Sequence, residues 1–237
     1  MQLYSTLQDI RQLLKDSIDE SRLTSEKKFF KEEIKLYGVD TATVGKIGKH
    51  FFIPVKVFPK KDIFELCEEL WKSGFIEEAL IACNYSFYLS TKYEPSDFVI
   101  FEGWINNYVT NWATCDTLCN HTVGAFVEMY PDYIAELKRW AKSPNRWMRR
   151  ASAVSLIVPA KKGLFLAHIF EIADILLLDK DDLVQKGYGW MLKVASAAHL
   201  ESVYDYIISR KAVMPRTALR YAIEKMPSDM KADAMKK

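Results

Sequence analysis

Trp112 and Asp116 stand four residues apart in the stretch Asn111-Trp112-Ala113-Thr114-Cys115-Asp116. Residues four apart on a helix share one face, so a helix starting near Thr114 would set an indole wall beside a carboxylate on its first turn. The same spacing also serves a purely structural pair, with Asp116 facing the N-terminal helix dipole and Trp112 in the core. Cys115, Cys119 and His121 follow closely, which raises metal binding or a thiol nucleophile. Zinc sites bring two spaced ligand pairs, and Cys67 and Cys83 lie in apolar patterns without a matching histidine, so no metal is expected. Cys119 and His121, two apart, point in different directions on a helix and do not make a nucleophile and its base. His50, His168 and His199 are isolated, and phosphate-cradling glycine loops, G-x-S-x-G and H-E-x-x-H are all absent. A second aromatic candidate, Trp190, follows Lys186-Gly187-Tyr188-Gly189. Two glycines inside a helical pattern cost about 1 kcal/mol each relative to alanine, which implies that another helix or a ligand approaches closely there.

Such residues need a scaffold, and the periodicity says which kind. Leu3, Leu7, Ile10, Leu13, Leu14 and Ile18 recur at steps of three and four, the signature of an amphipathic helix. Similar patterns occur around Phe29–Leu36, Val44–Phe52, Ile63–Trp71, Ile76–Cys83, Phe98–Val109, Asp116–Tyr130, Asp132–Lys142, Arg146–Val158, Leu164–Leu178, Leu183–Ala197, Ser202–Ile208 and Arg216–Met226. Tyr37-Gly38, Pro59, Pro95, Ser143-Pro144-Asn145, Lys161-Lys162-Gly163 and Met214-Pro215 punctuate them. With only 9 glycines in 237 residues and almost no strict alternation, sheets are disfavoured. The expectation is an all-α protein, an α-solenoid of about six degenerate HEAT-like repeats forming a concave crescent, with a compact helical bundle as the competing architecture. No linker or low-complexity segment divides residues 1–237, so a single domain is expected.

Composition narrows the class further. Apolar residues at 49% exclude disorder, while 27% charged residues and no apolar run of bilayer-spanning length exclude an integral membrane protein. Asp9, Arg11, Lys15 and Asp16 occupy the place of a secretory h-region, and four cysteines are too few for a disulfide framework, which suits a cytoplasmic protein.

The net charge of +2 conceals an asymmetry. Lys138, Arg139, Lys142, Arg146, Arg149, Arg150, Lys161 and Lys162 lie in a stretch without one acidic residue, and Glu171, Asp174, Asp179, Asp181 and Asp182 follow against Lys180 alone. Eight cations with Trp140 and Trp147 interleaved would suit a surface that tracks a phosphate backbone. A solvated basic face without a partner has the same composition.

Several segments, in order, resemble the HEAT-like repeat DNA alkylation repair glycosylases, the AlkD family. They are Phe29-Phe30-Lys31 through Leu36-Tyr37-Gly38-Val39, Glu69-Leu70-Trp71 with Glu77-Glu78-Ala79, Asn111 to Asp116, Asn145 to Ala151, Gln185 to Leu192, and Pro215 to Arg220. The resemblance implies the same solenoid and the hydrolysis of the N-glycosidic bond of cationic N3- or N7-alkylated purines in double-stranded DNA. It implies a catalytic set of Asp116, Trp112 and Trp190, with Arg150 contacting the DNA backbone. Phe29, Lys142, Arg146, Arg149 and Lys193 complete the expected DNA-binding surface. A cationic base leaves without a general acid, so one carboxylate and two indoles that stabilise an oxocarbenium-like sugar and position water suffice. No cofactor is implied, and a monomer is expected. The chain departs from the family at Asn111, where a second aromatic residue is common, at Ala113, where an acidic one is common, and at Phe29, where an N-terminal helix often presents a tyrosine. A non-catalytic DNA-binding paralogue and a HEAT-type protein scaffold are the alternatives.

Overall fold

The computed structural model describes residues 2–236. It is all-α: the described residues contain no strand, only one isolated parallel bridge between Lys35 and Phe75. None of the helices is long and apolar enough to cross a membrane. The chain falls into two compact units, Met1–Leu118 and Cys119–Lys237.

The first unit contains α1 (Gln2–Asp16), α2 (Glu20–Lys27), α3 (Thr41–Val55), α4 (Lys60–Lys72), α5 (Ile76–Tyr88), α6 (Phe98–Tyr108) and α7 (Trp112–Thr117). Their apolar faces meet as the periodicity predicts: Leu7, Ile10 and Leu14 of α1, Ile63, Leu66 and Leu70 of α4, and Ile76, Ala79 and Cys83 of α5 are all buried. Helix α5 is central and packs on α3, α4 and α7. It also carries two buried acids, Glu77 and Glu78. The carboxylate of Glu78 is fully engaged, accepting from Tyr37 Oη at 2.8 Å and Arg11 Nε at 3.0 Å. Burial, then the Glu78 carboxylate, pushes the Tyr37 phenol up and keeps it a donor.

The second unit contains α8 (Gly124–Met129), α9 (Ile134–Trp140), α10 (Arg146–Val154), α11 (Ile157–Lys161), α12 (Leu166–Leu176), α13 (Asp182–Ala195), α14 (Leu200–Arg210), α15 (Arg216–Ala222) and α16 (Ser228–Met235). Here α13 is central, flanked by α10, α11, α12 and α15. The glycines before Trp190 are explained by packing. A Cβ on Gly189 would lie 2.7 Å from Tyr221 Cβ and 2.8 Å from the Ala218 carbonyl oxygen, and one on Gly187 would lie 3.4 Å from Arg150 Cγ. It is α15 that approaches at Gly189, and the Arg150 side chain at Gly187.

Several segments differ from the sequence expectation, among them Arg146–Val158, which divides into α10 and α11. Residues 29–36 do not form a helix: the chain runs through an open turn into the bridge at Lys35, where Ile76 N donates to the Lys35 carbonyl at 3.0 Å. Tyr37-Gly38 is therefore not a helix end. Gly38 sits at φ +86 in the lead-in to α3, where its backbone N–H donates to Glu77 Oε1. These tertiary partners outbid a local pattern only a few residues long. The helix expected over Asp116–Tyr130 is instead α7, a π-helical turn over Leu118–Val123, and α8. Helices α2 and α16 are additional: α2 carries a single apolar residue, Leu23, in its eight positions, so periodicity is silent about it.

Candidate functional site

The start of α7 is fixed by Asn111. Its backbone is extended, and its buried side chain accepts the Thr114 N–H at 3.0 Å, an N-cap bond. The helix therefore begins at Trp112, two residues before Thr114, and Trp112 and Asp116 occupy one face of it. Asp116 lies in the second turn, beyond the reach of the N-terminal dipole, which fades within the first. Both residues are half-buried.

Trp112 meets the segment that replaced the expected helix. Its ring stacks on Phe30 at a centroid separation of 5.3 Å and an interplanar angle of 17°. Phe29, 74% exposed, and Phe30, Trp112 and Glu77 line one cavity of about 220 Å³ in the first unit. The thiols nearby take no visible part. Cys115 and Cys119 are fully buried, His121 is exposed, and no group of three or more His, Cys, Asp or Glu among the described residues could hold a metal ion.

In the second unit the basic run is not an open row of cations. Asn145 caps α10 by accepting the Trp147 N–H at 2.9 Å, which sends Arg146, Arg149 and Arg150 toward α13. Arg149 binds both oxygens of Asp179, at 2.6 and 3.4 Å, and donates to the Ser143 and Pro144 carbonyls at 3.0 Å each. Arg146 donates to Asp181 at 3.1 Å and lies 4.8 Å above the Trp147 ring. Asp181 also caps α13, accepting from Leu183 and Val184 N–H. Arg150 is 5% exposed and donates to the Leu183 carbonyl. Lys138 pairs with Glu171, Arg139 with Glu136 and Lys162 with Glu128. Lys142 and Lys161 are exposed, and neither pairs with a carboxylate among the described residues. The acidic segment that follows the run in sequence is thus, in large part, its counter-charge. On α13, Trp190 is half-buried, and Lys193, three residues on, pairs with Glu224 at 3.0 Å beside the Tyr221 ring.

The profile of the DNA alkylation repair enzyme family matches residues 10–226. The chain belongs to that family. Among solved structures, one described as a predicted DNA alkylation repair enzyme from Enterococcus faecalis is similar, with a TM-score of 0.79 and 14% identity over 90% of this chain and 98% of that one. At that identity the likeness speaks for the fold. No curated sequence matches. Membership places the chain in DNA repair.

For this alkylation repair family member, the structure brings together some expected site residues and distributes others. Trp112 and Asp116 share a helix face, and Phe29 shares a cavity with Trp112. Arg146, Arg149 and Arg150 share α10, while Trp190 and Lys193 share α13, the helix on which α10 packs. Two residues outside the expected set, Phe30 and Glu77, line the same cavity as Trp112. Both are visible in the sequence, as half of the aromatic pair Phe29-Phe30 and as one of two adjacent acids in the first turn of the mostly apolar α5.

Proposed function

We propose that this chain is a monofunctional DNA glycosylase that hydrolyses the N-glycosidic bond of N3- or N7-alkylated purines in duplex DNA. The observation that carries the reading is the cap at Asn111, which starts α7 so that Trp112 and Asp116 lie on one face, within a chain that belongs to the alkylation repair family. The chemistry follows from the substrate. Alkylation at N3 or N7 leaves the purine positively charged, so it departs as a neutral base without being protonated. The barrier lies in the oxocarbenium-like sugar. Asp116, fixed on a short helix, supplies negative charge where that cation develops and accepts a proton from the attacking water. Trp112, on the same helix face, supplies an electron-rich ring to that cation, worth about 0.5–2 kcal/mol, and Trp190 is the second indole that the family resemblance assigns to the reaction. DNA is held through phosphates. Lys142 is the exposed cation best suited to that contact, whereas Arg146, Arg149 and Arg150 act first by holding the α10–α13 corner. Incubation with methylated duplex DNA tests the proposal: methylpurine is released and abasic sites accumulate, and a folded protein that releases none refutes it.

A further inference from the structure

Another cavity of the first unit, of about 560 Å³, is bordered by α4 and α6 and shares no lining residue with the one at Trp112. Phe64, Val99 and Ile100 form its apolar wall, and Val99 is 68% exposed. Around that wall stand four carboxylates, Glu65, Glu68, Glu94 and Asp97, against Lys60 and Lys61, an excess of two negative charges. Most of these groups answer one another. Lys60 Nζ uses its three N–H donors on Asp97 Oδ2 at 2.8 Å, the Lys92 carbonyl at 2.9 Å and Glu94 Oε2 at 3.0 Å. Lys61 lies 3.9 Å from Glu65. Glu68 differs. Its two oxygens accept from Trp104 Nε1 and Tyr108 Oη, each at 2.5 Å, and among the described residues no cation pairs with it; Lys72, one turn on, is taken by Glu69 at 2.7 Å.

Neutral donors fix a carboxylate in place without cancelling its charge. Trp104 is 1% exposed and meets the Phe64 ring edge-on at 5.7 Å, so Glu68 is held from the core while the residue itself stays partly exposed at the cavity. Each of its oxygens has a further lone pair beyond the one engaged. A fixed anion beside apolar surface selects a ligand with two ends: a cationic N–H group for the carboxylate and an apolar body for the wall. An anionic ligand is repelled, and a neutral one leaves the charge of Glu68 uncompensated. The volume falls within the roughly 300–1,000 Å³ typical of small-molecule pockets. We infer that this cavity is a binding site for a small amphiphilic organic cation, an ammonium or guanidinium group on an apolar body, with Glu68 as the anion that anchors it. The assignment is independent of the glycosylase reading: it concerns a free ligand on α4 and α6, and not a base in DNA.

A pair of probes isolates the charge, and Trp104 reports it. The 4-phenylbutylammonium ion and neutral 4-phenylbutanol share one apolar body and differ in the terminal group. Because the Trp104 indole N–H donates to Glu68, its assigned resonance in a proton–nitrogen correlation spectrum should shift when a cation reaches that carboxylate. Titrated into the full chain, the ammonium should move this resonance saturably and bind at least about tenfold more tightly than the alcohol. Glu68→Gln should lose most of that preference. Val99→Lys places a positive charge at an exposed position of the wall, outside the core, and should weaken the ammonium several-fold while changing the alcohol little, which keeps the test decisive if the Glu68 variant does not fold. Absence of a saturable shift with the ammonium, or equal affinity for the two probes, overturns the assignment. So does a preference that persists unchanged in folded Glu68→Gln or in Val99→Lys.

Discussion

Asp116 is placed by the helix that carries it. Asn111 begins the helix, Trp112 is fixed against Phe30, and the carboxylate follows one turn later. Replacing Asn111 with alanine removes an N-cap whose partner is a buried N–H, and should cost about 1–2 kcal/mol in a denaturant titration. Activity should fall further than stability, since the start of α7 sets where Asp116 points. At this scale the sequence was partly legible. The four-residue spacing already puts Trp112 and Asp116 on one helix face, but it leaves the helix start open, because Thr114 and Asn111, three residues apart, are both acceptable caps and only the buried backbone geometry chooses between them. Glu77 was hidden for a different reason: an acid in an apolar helix declares itself as a partner for something, but its partners, the Gly38 and Val39 N–H groups, lie 39 and 38 residues away.

Among the elements, α13 carries the strongest constraint. It takes α15 at Gly189 so closely that a methyl group there would sit 2.7 Å from Tyr221 Cβ and 2.8 Å from a backbone oxygen. Gly189→Ala should therefore destabilise by about 1–3 kcal/mol, against the gain in helix propensity that alanine brings at an open site. A variant as stable as wild type in thermal unfolding would show that α15 can yield. The paired glycines were visible as an anomaly in a helical pattern, and the sequence posed the right question; whether a helix or a ligand came close was decided by α15, 27 residues away at Arg216. The failure at residues 29–36 has the opposite origin. There the apolar spacing looked helical, while the bridge from Lys35 to Phe75 and the left-handed Gly38 hold the chain open.

At the scale of the whole molecule, charge is the property whose meaning changed most. The acid-free run and the acidic segment suggested a chain with one phosphate-facing side. Within the second unit three of the five acids hold three of the cations, through Arg146–Asp181, Arg149–Asp179 and Lys138–Glu171. The two kinds of cation should respond differently to mutation. Arg149→Ala strands Asp179, whose side chain is 9% exposed, and should cost about 2–4 kcal/mol of stability. Lys142→Ala should leave stability within about 0.5 kcal/mol and reduce the slope of log affinity for duplex DNA against log salt by about one. Equal slopes for wild type and Lys142→Ala would remove that lysine from the DNA surface. Linear charge patterning could not make this distinction, because it records where charges fall along the chain and not which helices face each other.

The glycosylase account rests above all on one carboxylate, and single-turnover release of methylpurine from methylated duplex DNA tests it most directly. Wild type should release base, and Asp116→Asn, nearly identical in shape and retaining its place on α7, should do so about 10²-fold more slowly or worse while binding the same DNA with unchanged affinity. Release by Asp116→Asn at the wild-type rate would contradict the account.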